Sequence, residues 1–403
     1  MKILVLNAGS SSQKSCLYNL ADKTLPNHPP EPIWTANIDW TVSTDEGILT
    51  VNANKIKQKI NLDAKNKKQA IPKMLNTLIQ GETKVMETLT DINIVGHRVV
   101  HGGKKYSEAT QITPEVKQTI ADLIPLAPNH NPAHVEGIEA IEKVLGNVLQ
   151  VAVFDTAFHR NIPLENAAYP LPFDWLEKGI IRYGFHGISH QYCANRAAEI
   201  LQKPLSSLKL INCHLGNGCS LTAIKDGISI DTTMGFTPLE GLMMGTRSGS
   251  IDPAILIYLM REYSLTPQEL NILLNKESGL KGVSGISADL RAILQGMKEN
   301  NFQAQLAFDM YIHRIQTNIG SMLATLGGLD ALIFTAGVGE NAALVREKAC
   351  ENLAFLGLKL DKNKNESSPV DVDIAREDSS VRILVIHTEE DWAIAQQCWQ
   401  LCQ

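Results

Sequence analysis

Near its start the chain reads Ile3-Leu4-Val5-Leu6-Asn7-Ala8-Gly9-Ser10-Ser11-Ser12, four apolar residues that run directly into small and polar ones. An apolar run that stops at glycine and serine is typical of a buried β-strand followed by a tight turn. The pattern recurs in Leu208–Cys213 before His214–Gly218, and in Ala331–Thr335 before Ala336–Asn341. We therefore expect three buried strands, each ending in a glycine turn.

Hairpin signals follow the first two of these strands. Residues 219–231 read as two strands around Lys225-Asp226-Gly227, and Ser15–Leu20 follows the first strand in a similar way. Gly9 and Gly216 lie about half a chain length apart in matching strand and turn contexts. This spacing indicates that one α/β module has been duplicated.

The rest of the chain alternates between helical and strand patterns. Apolar residues recur three and four positions apart in Pro132–Leu145, Ile188–Leu201, Asp252–Tyr263, Pro267–Leu274 and Phe302–Leu326. Residues Ile48–Leu62 alternate as exposed strands do. Strands interleaved with helices predict an α/β fold, and 403 residues exceed the roughly 100–200 of one domain, so we expect two domains.

Charge and composition exclude several function classes. The net charge of −6 provides no basic field for nucleic acid or an anionic membrane. The start lacks a secretory signal, and no apolar run reaches about 18 residues, so a cytoplasmic location is expected. The seven cysteines are scattered without CxxC spacing, which predicts neither a disulfide framework nor a zinc site.

The first two glycine turns are candidate phosphate sites. Backbone N–H groups in such turns converge on one point and bind phosphate oxygens without net positive charge. Asn7, Ser10, Ser12 and Lys14 suit this role in the first turn, and His214–Gly218 in the second. One such turn often only closes a hairpin, but two in duplicated modules favour a nucleotide. The chain has no GxxxxGK[ST] sequence, which disfavours a P-loop enzyme.

The third turn permits a different interpretation. Gly337-Val338-Gly339-Glu340-Asn341-Ala342 matches the dinucleotide fingerprint GxGxxG/A in outline. No clear βαβ unit ending in a ribose-binding acid follows it. A nicotinamide dehydrogenase is therefore an alternative that rests on this segment alone.

Glycines flank cationic side chains in three segments, Gly96–Gly103, Gly184–His190 and Met244–Ser250. Each cation alone could pair with a carboxylate, but three together indicate an anionic substrate. Asp155 follows the apolar run 151–154, where α/β proteins place their sites, although a capping role is equally open. Glu389-Glu390 follows another apolar run and suits either a metal or a helix N-terminus.

Taken in order, eight segments resemble the acetate kinase family over nearly the whole chain. They are Asn7–Lys14, Gly96–Gly103, His130-Asn131-Pro132, Phe154–His159, Arg182–His190, His214–Gly218, Gly241–Pro253 and Phe334–Asn341. The resemblance implies two duplicated ribonuclease H-like or actin-like α/β domains, hinged over a central active-site cleft. It implies a first domain at 1–154, with a C-terminal helix at 392–403 packed back on it, and a nucleotide-binding domain at 155–391. Family members are typically homodimers.

The activity implied by the resemblance is reversible, Mg²⁺-dependent transfer of the ATP γ-phosphoryl group to acetate, giving acetyl phosphate and ADP. Mn²⁺ is an expected substitute for Mg²⁺. Kinases for propionate or butyrate, or for a sugar, are alternatives on the same scaffold. A chaperone-like ATPase is a further alternative, but it has no small carboxylate for Arg98 and Arg247 to bind.

The resemblance also assigns residues. Asn7 and Glu390 would lie at the metal, and Arg98 and Arg247 would hold the acetate and the phosphoryl group, whose oxygens His186 would steady. The nucleotide-binding residues would be Ser10, Ser12, Lys14, His214, Leu215, Gly216, Asn217, Gly218, Asp289, Leu290, Arg291, Gly337, Val338, Gly339, Glu340 and Asn341. The acetate pocket would be formed by Arg98, Val100, His130, Phe185 and Pro238.

Asp155 is the remaining catalytic candidate. Acetate is already ionised at neutral pH, since such acids have a pKa of about 4, and it needs no general base. We therefore expect Asp155 to orient an arginine or a metal-bound water, with proton transfer as the alternative. Two positions depart from the family pattern: Asn129 replaces a leucine, and Thr388-Glu389-Glu390-Asp391 replaces Thr-Asn-Glu-Glu, which keeps Glu389 open as the metal ligand.

Overall fold

The computed structural model describes residues 1–9, 12–21, 24–26, 28–41, 45–128 and 130–403. These form two compact units. The N-terminal unit comprises Met1–Ala157 and Glu389–Gln403, and the C-terminal unit comprises Phe158–Thr388. Among the described helices, none combines the length and the apolar character that crossing a membrane requires.

The strands and helices alternate along the chain. The strands are β1 Lys2–Ala8, β2 Ser12–Asn19, β3 Trp34–Asp39, β4 Glu46–Ala53, β5 Ile56–Asp63, β6 Ile94–Val99, β7 Thr110–Gln111, β8 Leu149–Phe154, β9 Lys209–Leu215, β10 Cys219–Lys225, β11 Ile228–Thr232, β12 Ala331–Thr335, β13 Val372–Asp373 and β14 Arg382–Val385. The helices are α1 Ala70–Asn76, α2 Pro114–Asp122, α3 Asn131–Leu145, α4 Leu164–Ala167, α5 Phe173–Glu177, α6 Gly187–Leu201, α7 Ala254–Glu262, α8 Pro267–Lys276, α9 Gly279–Ser284, α10 Leu290–Lys298, α11 Phe302–Leu326, α12 Ala336–Asn341, α13 Ala343–Glu351, α14 Lys362–Glu366 and α15 Glu390–Leu401.

The N-terminal unit contains a sheet of order β5-β4-β3-β2-β1-β6-β8-β7. Its main core lies on one face, where Leu4, Trp34 and Leu49 cluster with Met74 and Leu75 of α1. Every second side chain of β3 and β4 turns into this core. Residues 48–62 form strands as expected, within β4 and β5, but these strands are only partly exposed, because Leu49, Val51 and Leu62 are buried. The helix α15 packs against β1 and β6.

The C-terminal unit repeats the central topology with a sheet of order β11-β10-β9-β12-β14-β13. In both sheets the first strand pairs antiparallel with the hairpin strand that follows it. On its other side it pairs in parallel with a later strand, β6 or β12, which pairs in parallel with β8 or β14. The duplication expected from the sequence is confirmed by this shared order and direction.

Parallel pairing matters for function because it brings the carboxyl ends of β1, β6 and β8 to one edge of the first sheet. It does the same for β9, β12 and β14 in the second. Open α/β sheets bind their ligands at this edge. The polar residues that follow these strands are therefore the candidates for chemistry.

The prediction of a glycine turn after the third strand is wrong, since residues 336–341 form the short helix α12. Glu340 Oε1 accepts a hydrogen bond from Ala336 N at 2.9 Å and thereby satisfies one of the free N–H groups at the helix start. Gly339 allows the helix to lie close to the sheet, because a Cβ there would be 3.3 Å from the carbonyl carbon of Phe334. Local side-chain capping thus favoured a helix over a turn.

Candidate active site

The first hairpin of the N-terminal unit closes through Gly9 N, which donates to Ser12 O at 2.7 Å. Asn7 lies buried near the end of β1, and Lys14 is its register partner on β2. The Lys14 side chain is exposed, and Ser12 is partly buried. Ser10 lies outside the described residues, as does Asn129.

Arg98 of β6 and Asp155, which follows β8, form a bidentate ion pair in the N-terminal unit. Arg98 Nη2 donates to Asp155 Oδ2 at 2.7 Å, and Arg98 Nε lies 3.2 and 3.1 Å from the two carboxylate oxygens. Asp155 is only 2 % exposed. Burial raises the pKa of Asp155, and the positive charge of Arg98 opposes that rise. Both carboxylate oxygens of Asp155 thus contact the Arg98 guanidinium.

The same arginine reaches the acidic start of α15. Arg98 Nη1 donates to Asn7 Oδ1 at 3.1 Å and lies 4.0 Å from Glu390 Oε2. Asn7 Nδ2 in turn donates to Asp391 Oδ1 at 2.8 Å and lies 3.4 Å from Glu390 Oε2. Asn7, Arg98, Asp155, Glu390 and Asp391 thus form one connected cluster, which we call the acidic cluster.

Asp391 is the member of the acidic cluster that sequence reasoning did not assign. Burial raises its pKa, and Asn7 opposes the shift through its hydrogen bond. The signal available in the sequence was the acidic run Glu389-Glu390-Asp391 after an apolar strand. Because all three residues are acidic, the run alone does not show which carboxylate turns inward.

The acidic cluster has the donor chemistry of a magnesium site. Mg²⁺ prefers oxygen ligands and is commonly bound through one or two carboxylates plus phosphate oxygens. Asn7 Oδ1 and the carboxylate of Glu390 are oxygens of this kind, joined through the amide of Asn7. The residues present therefore fit the ion.

In the C-terminal unit, His186 and His214 stack with their ring centroids 4.1 Å apart. His186 immediately precedes α6 and has a left-handed backbone with φ of 58°, a conformation that is costly for a residue other than glycine. His214 lies near the end of β9. Such strain persists only where the surroundings enforce it, as happens at functional sites.

The turn Gly216–Gly218 lies beside these rings. Gly216 N donates to Gly218 O at 3.0 Å, which closes the hairpin between β9 and β10. A Cβ added at Gly218 would lie 3.4 Å from His186 Nε2 and 3.5 Å from Arg247 Nη1. The structure therefore brings together three of the predicted elements, the second glycine turn, His186 and Arg247.

Arg247 lacks an acidic partner among the residues that the structure describes. Its Nη1 donates to Pro238 O at 3.0 Å and lies 3.7 Å from Met244 Sδ. Burial lowers the pKa of Arg247, but a guanidinium stays charged at neutral pH. A partly buried cation whose partners in the described structure are a carbonyl and a thioether favours a bound anion as its charge partner.

The predicted nucleoside residues occupy two places in the C-terminal unit. Asp289 caps α10 and pairs with Arg291 at 2.6 Å on the surface, while Leu290 between them is buried in the core. Gly337–Asn341 belong to α12, where Glu340 Oε1 also accepts a hydrogen bond from Thr388 N at 3.1 Å. The Glu340 carboxylate is thus occupied by internal contacts.

Each unit contains residues predicted for the acetate pocket. In the N-terminal unit Val100 is buried, and His130 immediately precedes α3. In the C-terminal unit Phe185 is buried, and Pro238 is partly exposed. Phe185 O lies 3.0 Å from His159 Nε2, which fixes the backbone next to His186.

Comparison with known proteins identifies relatives along nearly the entire chain. Residues 2–396 match the model of the acetokinase family. An acetate kinase of Rippkaea orientalis is 71% identical over 398 residues, covering 99% of this chain and 98% of that protein. An acetate kinase of Synechocystis is 63% identical over 99% of this chain and 97% of the relative.

Solved structures agree with the sequence relatives. The crystal structure of Porphyromonas gingivalis acetate kinase superposes with a TM-score of 0.91 at 40% identity, covering 100% of both chains. A propionate kinase from Francisella tularensis superposes with a TM-score of 0.90 at 38% identity, covering 99% of each chain. On this match of sequence and fold over almost its full length, the chain belongs to the acetokinase family, whose members are kinases.

Proposed function

We propose that this kinase transfers the γ-phosphoryl group of ATP to the carboxylate of acetate, reversibly and by direct in-line displacement. The observation that carries the proposal is Arg247, a partly buried cation without an acidic partner in the described chain, beside His186 and Gly218. Phosphoryl transfer is catalysed chiefly by positioning and by neutralising charge on the phosphoryl oxygens. Arg247 and the imidazole of His186 suit those oxygens.

The second glycine turn suits the phosphates of the nucleotide. The turn lies beside His186 and Arg247, since a Cβ added at Gly218 would be in van der Waals contact with both side chains. We assign His214–Gly218 to the phosphates, and Gly337–Asn341 with Asp289, Leu290 and Arg291 to the nucleoside. Ser12 and Lys14, by the first glycine turn, are also assigned to nucleotide phosphates.

Arg98 is the residue we assign to acetate. Asp155 fixes one edge of its guanidinium, and Asn7 binds Nη1. A guanidinium held in this way is pre-organised for a carboxylate, because a planar fork loses little freedom on binding. We propose that Asp155 orients Arg98 and transfers no proton, since ionised acetate attacks without a base.

We assign the magnesium ion to Asn7 and Glu390, with Glu389 as the alternative carboxylate. When bound, the ion would neutralise charge on the β- and γ-phosphate oxygens. Asp391 acts on this site through Asn7, because it accepts a hydrogen bond from Asn7 Nδ2. This contact fixes the Asn7 amide, whose oxygen accepts a hydrogen bond from Arg98 and keeps a second lone pair for the ion.

The experiment for the proposed function is hydroxylamine trapping of acyl phosphate from purified protein, ATP and Mg²⁺. Formate, acetate, propionate and butyrate are compared at matched concentrations. Strong acetate-dependent product supports the proposal, whereas steady ATP hydrolysis without product from any acid contradicts it.

Propionate kinase is the second candidate, because a propionate kinase is among the structures most like this chain, and a higher kcat/KM with propionate would favour it.

We further propose that the two compact units act as two domains and that the protein forms a homodimer. The helix α7 supports the dimer, since none of its residues is buried although its sequence is Ala-Ile-Leu-Ile-Tyr-Leu-Met-Arg-Glu. Ile257 and Tyr258 are 52% and 56% exposed. An apolar helix of this kind suits contact with a second copy. Light scattering should give twice the chain mass, and Ile257→Glu should reduce it to one.

All seven cysteines are free thiols, and six of them are buried. Disulfides are rare in reducing compartments, where unpaired cysteines persist. This pattern supports our proposal of a cytoplasmic location.

A further inference from the structure

Behind His186 lies a chain of buried polar side chains that the proposed reaction does not use directly. Asn212 Nδ2 lies 2.9 Å from His190 Nδ1, and His190 Nε2 lies 2.8 Å from Ser220 Oγ. Ser220 Oγ lies 2.9 Å from His186 Nδ1. The first three residues have no exposed surface. A buried network of this kind is costly unless its members are satisfied in a consistent direction.

The direction of the network follows from its first member. An amide nitrogen can only donate, so Asn212 requires His190 Nδ1 to accept. Burial lowers the pKa of His190 well below its ordinary value, and His159 and His214 add to that shift, so the ring is neutral. A neutral ring that accepts at Nδ1 carries its proton on Nε2 and donates it to Ser220 Oγ.

The hydrogen bond between Ser220 and His186 runs in the same direction. Its oxygen accepts from His190, which leaves its single hydroxyl hydrogen to donate to His186 Nδ1. His186 is thereby held with its proton on Nε2. That nitrogen is the one beside the glycine turn, since a Cβ at Gly218 would be 3.4 Å from it.

We propose that Asn212, His190 and Ser220 are positioning residues that hold His186 in its Nε2–H tautomer, so that a neutral donor faces the transferred phosphoryl group. The inference rests on the proposed function, which puts phosphoryl oxygens beside Gly218. Phosphoryl oxygens accept hydrogen bonds, and the opposite tautomer would present a lone pair to them. A tautomer set in advance needs no rearrangement during the reaction.

The neighbouring ring has a parallel arrangement. His214 Nδ1 lies 2.8 Å from Ser189 Oγ, which accepts a hydrogen bond from Thr388 Oγ1 at 2.9 Å. Because Ser189 already accepts from Thr388, it can donate its hydroxyl hydrogen to His214 Nδ1, and that direction puts the proton of this ring on Nε2. A Cβ at Gly216 would lie 4.0 Å from this Nε2 atom. Two stacked rings thus present Nε2–H groups towards the same glycine turn.

The test reads the tautomers directly. In the full chain labelled with ¹⁵N-histidine, long-range proton–nitrogen correlation distinguishes a protonated ring nitrogen from an unprotonated one. His186→Gln and His190→Gln assign the two rings among the eleven histidines. We expect Nε2–H with unprotonated Nδ1 at both positions. Protonated Nδ1 at His186 in the unmodified chain would overturn the proposal.

Two variants test the direction of the network. In Asn212→Asp the carboxylate accepts from His190 Nδ1, which reverses the chain above neutral pH, and kcat should fall by about 10²–10³, the loss of one oxyanion donor. Protonation of His190 or His186 restores a donor, so the loss should shrink as pH falls. The other groups facing these rings are His159, His214 and Arg247, and they are unchanged in the variant.

Ser220→Ala keeps the test decisive if Asn212→Asp fails to fold. It removes the donor to His186 Nδ1 and should produce a mixture of tautomers there. The matched control is Thr222→Val, which deletes another buried hydroxyl of β10, bonded to Thr232 at 2.9 Å and not to these rings. Equal tautomer signals in both variants would overturn the network. Because tautomers are read without turnover, a failure of acyl phosphate formation would count against the proposed function and not against the network.

Discussion

The two units hold their candidate arginines in opposite electrostatic settings. Arg98 of the N-terminal unit is bonded to Asp155 and lies near Glu390. Arg247 of the C-terminal unit donates to a backbone carbonyl and lies beside the same glycine as His186. The same residue type has a carboxylate partner in one unit and, among the residues that the structure describes, none in the other. We infer that Arg98 is held in a fixed orientation to bind acetate. Arg247 takes its charge partner from the substrate.

The largest expected effect comes from removing Arg247, the arginine without a carboxylate partner among the described residues. Arg247→Ala should lower kcat by about 10³–10⁵, the contribution of an arginine that meets transition-state charge in phosphoryl transfer. Steady-state kinetics with saturating ATP and acetate checks this. The matched control is Arg376→Ala, whose side chain is 60% exposed and paired with Asp378 at the surface. A loss below tenfold in Arg247→Ala would contradict the role of Arg247.

The contrast between the units predicts different costs in stability. Arg98→Ala leaves Asp155 buried without its partner and should lower the free energy of unfolding by about 3–5 kcal/mol. Arg247→Ala strands no carboxylate in the described structure and should change it by less than about 1 kcal/mol. Urea unfolding of both variants measures the difference. Equal losses of unfolding free energy in the two variants would show that Arg98 and Arg247 do not differ in their electrostatic settings.

The loss of unfolding free energy caused by Arg98→Ala should depend on pH. Burial raises the pKa of Asp155, and removing Arg98 removes the opposing charge, so the folded-state pKa rises further above the unfolded value. A carboxyl with a raised folded pKa is disfavoured when ionised, so its cost is full above the folded pKa and disappears as pH falls below the unfolded value. The stability gap to the unmodified chain should narrow in acid. Asp155→Asn combined with Arg98→Ala should remove most of this narrowing and leave the smaller part that comes from the influence of Arg98 on the pKa of Asp391.

The smallest predicted effect compares the two glycine turns. Gly218→Ala adds a methyl group 3.4 Å from His186 and 3.5 Å from Arg247, whereas the Cβ of Gly9→Ala would contact Ser12 O at 3.4 Å. We expect Gly218→Ala to raise the KM for ATP by about tenfold, or about 1.4 kcal/mol, because it crowds the phosphates. Gly9→Ala should raise it less. A larger rise in the KM for ATP in Gly9→Ala than in Gly218→Ala would indicate that the phosphates lie nearer the first turn.

Much of the fold was predictable because it follows from local patterns. The helix expected at Phe302–Leu326 has those bounds in the structure, and the hairpin around Lys225-Asp226-Gly227 joins β10 and β11. Each depends on periodicity or turn residues that a short window contains. The helix α12 was missed because its cap comes from Glu340, whose role also depends on the distant Thr388.

The candidate site was predictable in its charged residues and less so in its partners. Arg98, His186 and Arg247 stand out because glycines flank the segments that contain them. Ser220, Asn212 and His190 gained roles only when sheet pairing set β9 and β10 beside α6. A serine or asparagine in a buried strand has no distinguishing pattern in the sequence. Such contacts join residues far apart in the chain, which a sequence window does not capture.

The central claim is that a carboxylate oxygen attacks the γ-phosphorus, and isotope transfer tests it most directly. The protein is incubated with ATP, Mg²⁺ and acetate carrying ¹⁸O in both carboxylate oxygens, and the acetyl phosphate is examined by ³¹P NMR. The account predicts one ¹⁸O bonded to phosphorus in every molecule of product, seen as an isotope shift. Inorganic phosphate released without ¹⁸O, and no labelled acyl phosphate, would contradict it.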